Sequence, residues 1–98
     1  MAADVFTGGL RRGWFNATWP FARLTLADSE LVIRLFGVVN VRSDWDGVAT
    51  AQRVVGGLTG SPGLGVRITL TNGLRVVFWT FRPARVLAAL KARGVSVV

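Results

Sequence analysis

The chain has 98 residues, which allows one domain with one core and not two. Hydrophobic residues make up 51% and charged residues 17%, which excludes a disordered chain and leaves apolar surface over for a partner. Cysteine and histidine are both absent, so disulfides, thiolate chemistry, a Ser-His or Cys-His pair and most zinc sites are excluded.

The net charge is +7, and eleven of the twelve basic residues are arginine. Such a balance suits an anionic partner: nucleic acid, acidic lipid or acidic protein. The alternative is a solvated surface from an organism whose codons favour arginine, alanine and valine. Only Arg11 and Arg12 are adjacent, and a nucleic-acid protein would more often cluster its cations, so the second reading is preferred. No apolar run approaches the ~18 residues of a membrane span. The opening MAADVFTGGLRRG lacks a charged start followed by an apolar core, so a cytoplasmic location is expected.

Taken in chain order, residues 1–9 are weakly patterned, and the first few are expected to fray. Leu10 to Phe15 reads as a short strand bent at Gly13, and Asn16 to Pro20 as a turn-like connection. From Phe21 to Ala27 the chain alternates, with Leu24 and Leu26 inward and Arg23 and Thr25 outward. Asp28-Ser29 turns the chain, and Leu31, Ile33 and Leu35 face inward on the return strand, against Val32, Arg34 and Phe36. Gly37 ends it, Val38 to Arg42 offers another strand, and Ser43 to Gly47 is a turn with Trp45 at its centre. Val48 to Val55 is the next extended stretch. Gly56 to Gly65 is a glycine-rich loop.

Val66 to Gly94 organises the rest. Val66, Ile68 and Leu70 alternate with Arg67, Thr69 and Thr71, and Asn72-Gly73 predicts a two-residue type I′ turn. On the return, Leu74, Val76 and Phe78 alternate with Arg75, Val77 and Trp79. Pro83 then opens a helix over about 83–93 that docks through Val86, Leu87 and Leu90. Gly94 is placed for a left-handed cap, with Val95 folding back on the last turn. The whole reads as one domain spanning 1–98, mainly β with one α-helix: about seven antiparallel strands forming a barrel or sandwich, capped by the C-terminal helix.

This chain resembles the pleckstrin homology-like superfamily, in particular its small bacterial and GRAM-like members. The resemblance rests on WPFARLTL at Trp19–Leu26, ELVIRL at Glu30–Leu35, SDWDGVATAQRV at Ser43–Val54 and FWTFRPARVLAALKARGVSV at Phe78–Val97. It implies a non-enzymatic module that binds a phosphoinositide head group, a peptide or another protein. Phosphoinositide-binding members cluster Lys and Arg around the loop joining their first two strands. Here that loop is either the acidic Ala27–Glu30 or the uncharged Asn16–Pro20.

No constellation carries catalysis, metal or cofactor binding. Asp44 and Asp46 would share a face of a strand, but in SDWDG they suit a solvated turn. Gly60, Gly63 and Gly65 lack the lysine and the strand–loop–helix setting of a phosphate cradle. Arg82 and Arg85 bracket the helix start, where free amides favour an anion, so they are the anion-site candidates. Trp45, Trp79 and Phe36 are the partner-binding candidates, with Trp45 expected to be exposed. Val32, Phe36, Val77 and Trp79 on outward faces mark either an apolar patch for self-association or surface covered by other segments. The expectation is a binding or assembly module for a protein partner, itself included. An alternative is an anion-dependent adaptor for acidic lipid or nucleic acid.

Overall fold

Eight strands form a single sheet in the order β4-β3-β2-β1-β7-β6-β5-β8 in the computed structural model, which describes residues 3–55 and 64–98. In chain order they are β1 (Asp4–Arg12), β2 (Phe15–Leu26), β3 (Glu30–Leu35), β4 (Val38–Asp44), β5 (Val48–Val55), β6 (Leu64–Leu70), β7 (Arg75–Trp79) and β8 (Ser96–Val97). A 3-10 turn, Trp45–Gly47, separates β4 from β5, and the helix α1 spans Pro83–Ala92 between β7 and β8. The mainly β architecture with one helix agrees with the alternation in the sequence. β8 adds a short eighth strand, and its pairing with β5 is parallel.

The first twenty residues depart from expectation. The first strand begins earlier than Leu10: residues 4–12 form β1, which pairs with both β2 and β7. Pairing with β2 holds Asp4 to Gly8 despite the weak apolar pattern, and Leu10 to Arg12 are paired on both sides, by β2 and β7. Gly13 and Trp14 make the first turn, so neither Ala27–Glu30 nor Asn16–Pro20 joins the first two strands. Asn16 to Pro20 belongs to β2. There the β1–β2 register slips: Gly8 pairs with Ala22 and Leu10 with Ala17, so Thr18 to Phe21 oppose Gly9 alone. A cis peptide bond joins Trp19 to Pro20 in this bulge.

Two turns are exchanged in type. The β6–β7 connection has positive φ only at Gly73 (93°), with Gly73 N donating to Leu70 O at 3.0 Å and Leu70 N to Leu74 O at 2.8 Å. It is a three-residue loop with glycine at the left-handed position, not a two-residue type I′ turn. Asn72 serves instead through its side chain, whose Oδ1 accepts from Leu74 N at 2.9 Å. The pair with positive φ at both central residues is Phe36 (52°) and Gly37 (80°), between β3 and β4.

The core is as the alternation places it. Leu24, Leu26, Leu31, Ile33, Val66, Ile68, Val76 and Phe78 are buried together. Helix α1 packs on β5, β6 and β8 and drives Val86 and Leu90 into that core, with the half-buried Leu87 beside them. Its end is a Schellman motif: Val95 N donates to Leu90 O at 3.2 Å and Gly94 N to Lys91 O at 3.0 Å, with Gly94 at φ 88°. Val95 and Leu90, the pair that motif brings together, are both buried. Each half of the terminal segment thus needs the other: the cap turns the chain so that β8 can pair with β5, with Val98 N donating to Ala51 O at 2.9 Å.

Candidate functional site

The expected partner-binding residues separate. Trp79 is 5% exposed. Its indole Nε1 donates to Asn16 Oδ1 at 2.9 Å, so the polar tip is satisfied within the fold and the ring is not presented to a partner. Trp45 is half-buried, not exposed. Its Nε1 donates to Ala27 O at 2.9 Å and its ring lies 5.7 Å beneath the Arg93 guanidinium. Trp79 is thus buried, and Trp45 half-buried where exposure was expected, each with its indole N–H satisfied within the fold. Of the nominally outward residues, Val32 is buried and Val77 half-buried. Phe36 remains, 68% exposed.

Phe36 belongs to a ridge of exposed aromatics that the sequence reading missed. Its ring packs on Phe21 with centroids 5.1 Å apart, and Phe36 N donates to Phe21 O at 3.0 Å. Trp19 meets Phe81 edge-on at 5.7 Å. Pro20 lies between Trp19 and Phe21 in sequence. The bulge of β2 is what pushes Trp19 and Phe21 outward, and no alternation rule describes a bulged segment. Pro20, Phe21, Phe36 and Gly37 line a cleft of about 270 Å³ together with Ala22, Arg23 and Arg34.

The arginines are not scattered in space. Arg11 of β1 and Arg67 of β6 both pair with Val77 of β7, and Arg75 lies two residues along from it. These three side chains share the outer face of the sheet, opposite the buried Leu10, Val66, Val76 and Phe78. With Gly13 and Val77 they line a groove of about 380 Å³. All five carboxylates lie elsewhere. Asp4 pairs with Leu26, Asp28 is in the next turn, Glu30 pairs with Asp44, and Asp46 follows in the 3-10 turn. Carboxylates thus collect at the β2–β3 turn end of the molecule. Among the described residues the ion pairs are Arg42–Glu30 (3.2 Å) and Arg93–Asp4 (2.8 Å), both at that end.

Arg82 and Arg85 stay exposed at the start of α1, which has no side-chain cap and no acid in its first turn. They line neither the arginine groove nor the ridge cleft. Asp44 and Asp46 do not share a strand face: Asp44 ends β4 and its Oδ1 accepts from Gly47 N at 2.8 Å, capping the 3-10 turn that contains Asp46. Gly60 and Gly63 lie outside the described residues. Gly65 is paired within β6 against Trp79, with the indole lying over it. Among the described residues no group of acidic side chains is arranged for a metal ion, and no helix is long and apolar enough to cross a membrane. No family model matches the chain, and no curated protein matches it.

Proposed function

We propose that the protein is a non-enzymatic binding module of the pleckstrin homology-like kind, working in the cytoplasm and contacting protein, its own copies included, through the Trp19–Phe21–Phe36–Phe81 ridge. One observation carries the reading. Phe36 holds a left-handed backbone (φ 52°) that disfavours a bulky side chain, and it does so with its ring 68% exposed. Stability alone would favour Asn or Gly at this position. A strained, exposed aromatic is a feature of contact sites. Large aromatics beside arginine are also the composition enriched in interface hot spots.

The test compares the native protein with the Trp19→Ser/Phe36→Ser variant as bait in lysate of the source cell. A partner or further copies retained by the native chain and lost by the variant is the expected result. Equal recovery by both baits, with both monomeric at every concentration, rejects the ridge.

A second reading has its own observation. The Arg11–Arg67–Arg75 groove gathers three guanidinium groups that have no acidic partner among the described residues. Such a surface suits a polyanion, nucleic acid or acidic lipid, and its binding would weaken steeply with salt.

A further inference from the structure

The outer face of β2–β3–β4 carries two like-charged cross-strand pairs of opposite sign. Arg23 stands directly opposite Arg34, and Glu30 directly opposite Asp44. Like charges placed opposite each other on a sheet cost stability. Glu30 is relieved in part by Arg42 at 3.2 Å, while Arg23 and Arg34 have no acidic partner among the described residues. Both pairs point outward, since Leu24, Leu31, Ile33 and Leu35 between them face the core.

The arrangement has a centre. Val32 lies two residues from Glu30 and two from Arg34, so the acidic and basic rows stand ~7 Å to either side of it. Val32 itself is buried, with Thr25 and Arg42 as its cross-strand neighbours. Beyond the basic row lies the Phe21–Phe36 pair, and beyond the acidic row the Asp28-Ser29 turn. A face that is acidic at one end and basic at the other, with Arg42 at its midpoint, sets its rows of unlike charge against each other after a half-turn.

We infer that a second copy of this chain docks on this face about a two-fold axis near Val32, placing Arg23 and Arg34 of one copy against Glu30 and Asp44 of the other. This inference rests on the protein-contact reading of the aromatic ridge and names its occupant. The half-turn also lays Phe21 and Phe36 over the Ala27–Ser29 turn of the second copy, covering the exposed rings. Three strands at ~4.8 Å spacing and seven residues at ~3.3 Å give a footprint of about 330 Å² per copy. That is below the ~800 Å² per partner of a standard interface, so the dimer is weak and forms at high protein concentration.

Sedimentation equilibrium over a concentration series tests it. The native chain is expected to dimerise reversibly, with Kd rising as salt screens the charge contacts. Arg34→Glu alone, or Glu30→Arg alone, sets like charges against each other across the axis and raises Kd by ~10-fold or more. Mixing these two variants restores association to near the native Kd. In the mixed dimer the introduced carboxylate of one chain meets the introduced guanidinium of the other, and the unaltered Glu30 of the first meets the unaltered Arg34 of the second. A native chain monomeric throughout, single variants that dimerise like the native chain, or a mixture that stays monomeric would each overturn the two-fold contact. Loss of association in Phe36→Ser, with the charge variants unaffected, would leave the ridge as a protein contact and remove this arrangement alone.

Discussion

The indole of Trp79 lies over Gly65 on the neighbouring strand while its Nε1 donates to Asn16 Oδ1 at 2.9 Å. A Cβ at position 65 would stand 2.9 Å from Cε3 of that ring and 3.0 Å from Phe78 O. Gly65→Ala therefore forces the indole or the strand to shift, and should lower the unfolding free energy by ~1–3 kcal/mol. Urea denaturation reads this directly. A midpoint equal to that of the native protein would mean that the indole has room to move.

The terminal helix depends on its seal and its cap separately. Leu90→Ala removes a fully buried side chain and should cost about 2–5 kcal/mol. Gly94→Ala keeps every core contact and should cost only about 1–2 kcal/mol, the penalty of a Cβ in the left-handed region. Thermal unfolding of the two variants should reproduce that order.

Arg93 ties the helix end to distant strands. Its guanidinium donates to Asp4 Oδ2 at 2.8 Å, Leu26 O at 3.0 Å and Ala89 O at 3.2 Å, and covers the Trp45 ring. Arg93→Ala should cost ~1–3 kcal/mol through the lost charge-assisted bonds. Arg93→Lys should recover less than half of this, because an ammonium cannot present the same fork of donors. Equal stability of the lysine variant and the native chain would reduce the clamp to simple charge pairing.

Phe36→Asn should separate fold from contact. Relief of the left-handed backbone, ~1 kcal/mol, offsets the loss of the Phe21 ring contact, ~0.5–1.5 kcal/mol. Stability in urea should stay within ~1 kcal/mol of the native value while self-association, read by sedimentation, falls. A large loss of stability would make Phe36 a structural residue.

The groove reading predicts a salt signature. If single-stranded oligonucleotide binds across Arg11, Arg67 and Arg75, each substitution by alanine should reduce the slope of log Kd against log salt by about 0.7–1. Binding that is absent, or a slope unchanged in Arg67→Ala/Arg75→Ala, removes nucleic acid from this groove.

Alternation at Leu24, Leu26, Leu31, Ile33, Val66, Ile68, Val76 and Phe78 is enough to locate the central strands and their inward faces, because a period of two is a local property of the chain. Pro83 and Gly94 likewise bracket the helix through backbone preferences that act within a turn. Neighbours in space are another matter. The order of strands brings Arg11, Arg67 and Arg75 together across three separate segments, sets Arg23 against Arg34, and buries Trp79 beside Asn16. Pairing with β2 turns the weakly patterned residues 4–8 into a strand, and a bulge turns Trp19 and Phe21 outward. These outcomes depend on register between strands, some of them far apart in the chain, and register is settled by the energy of the whole core.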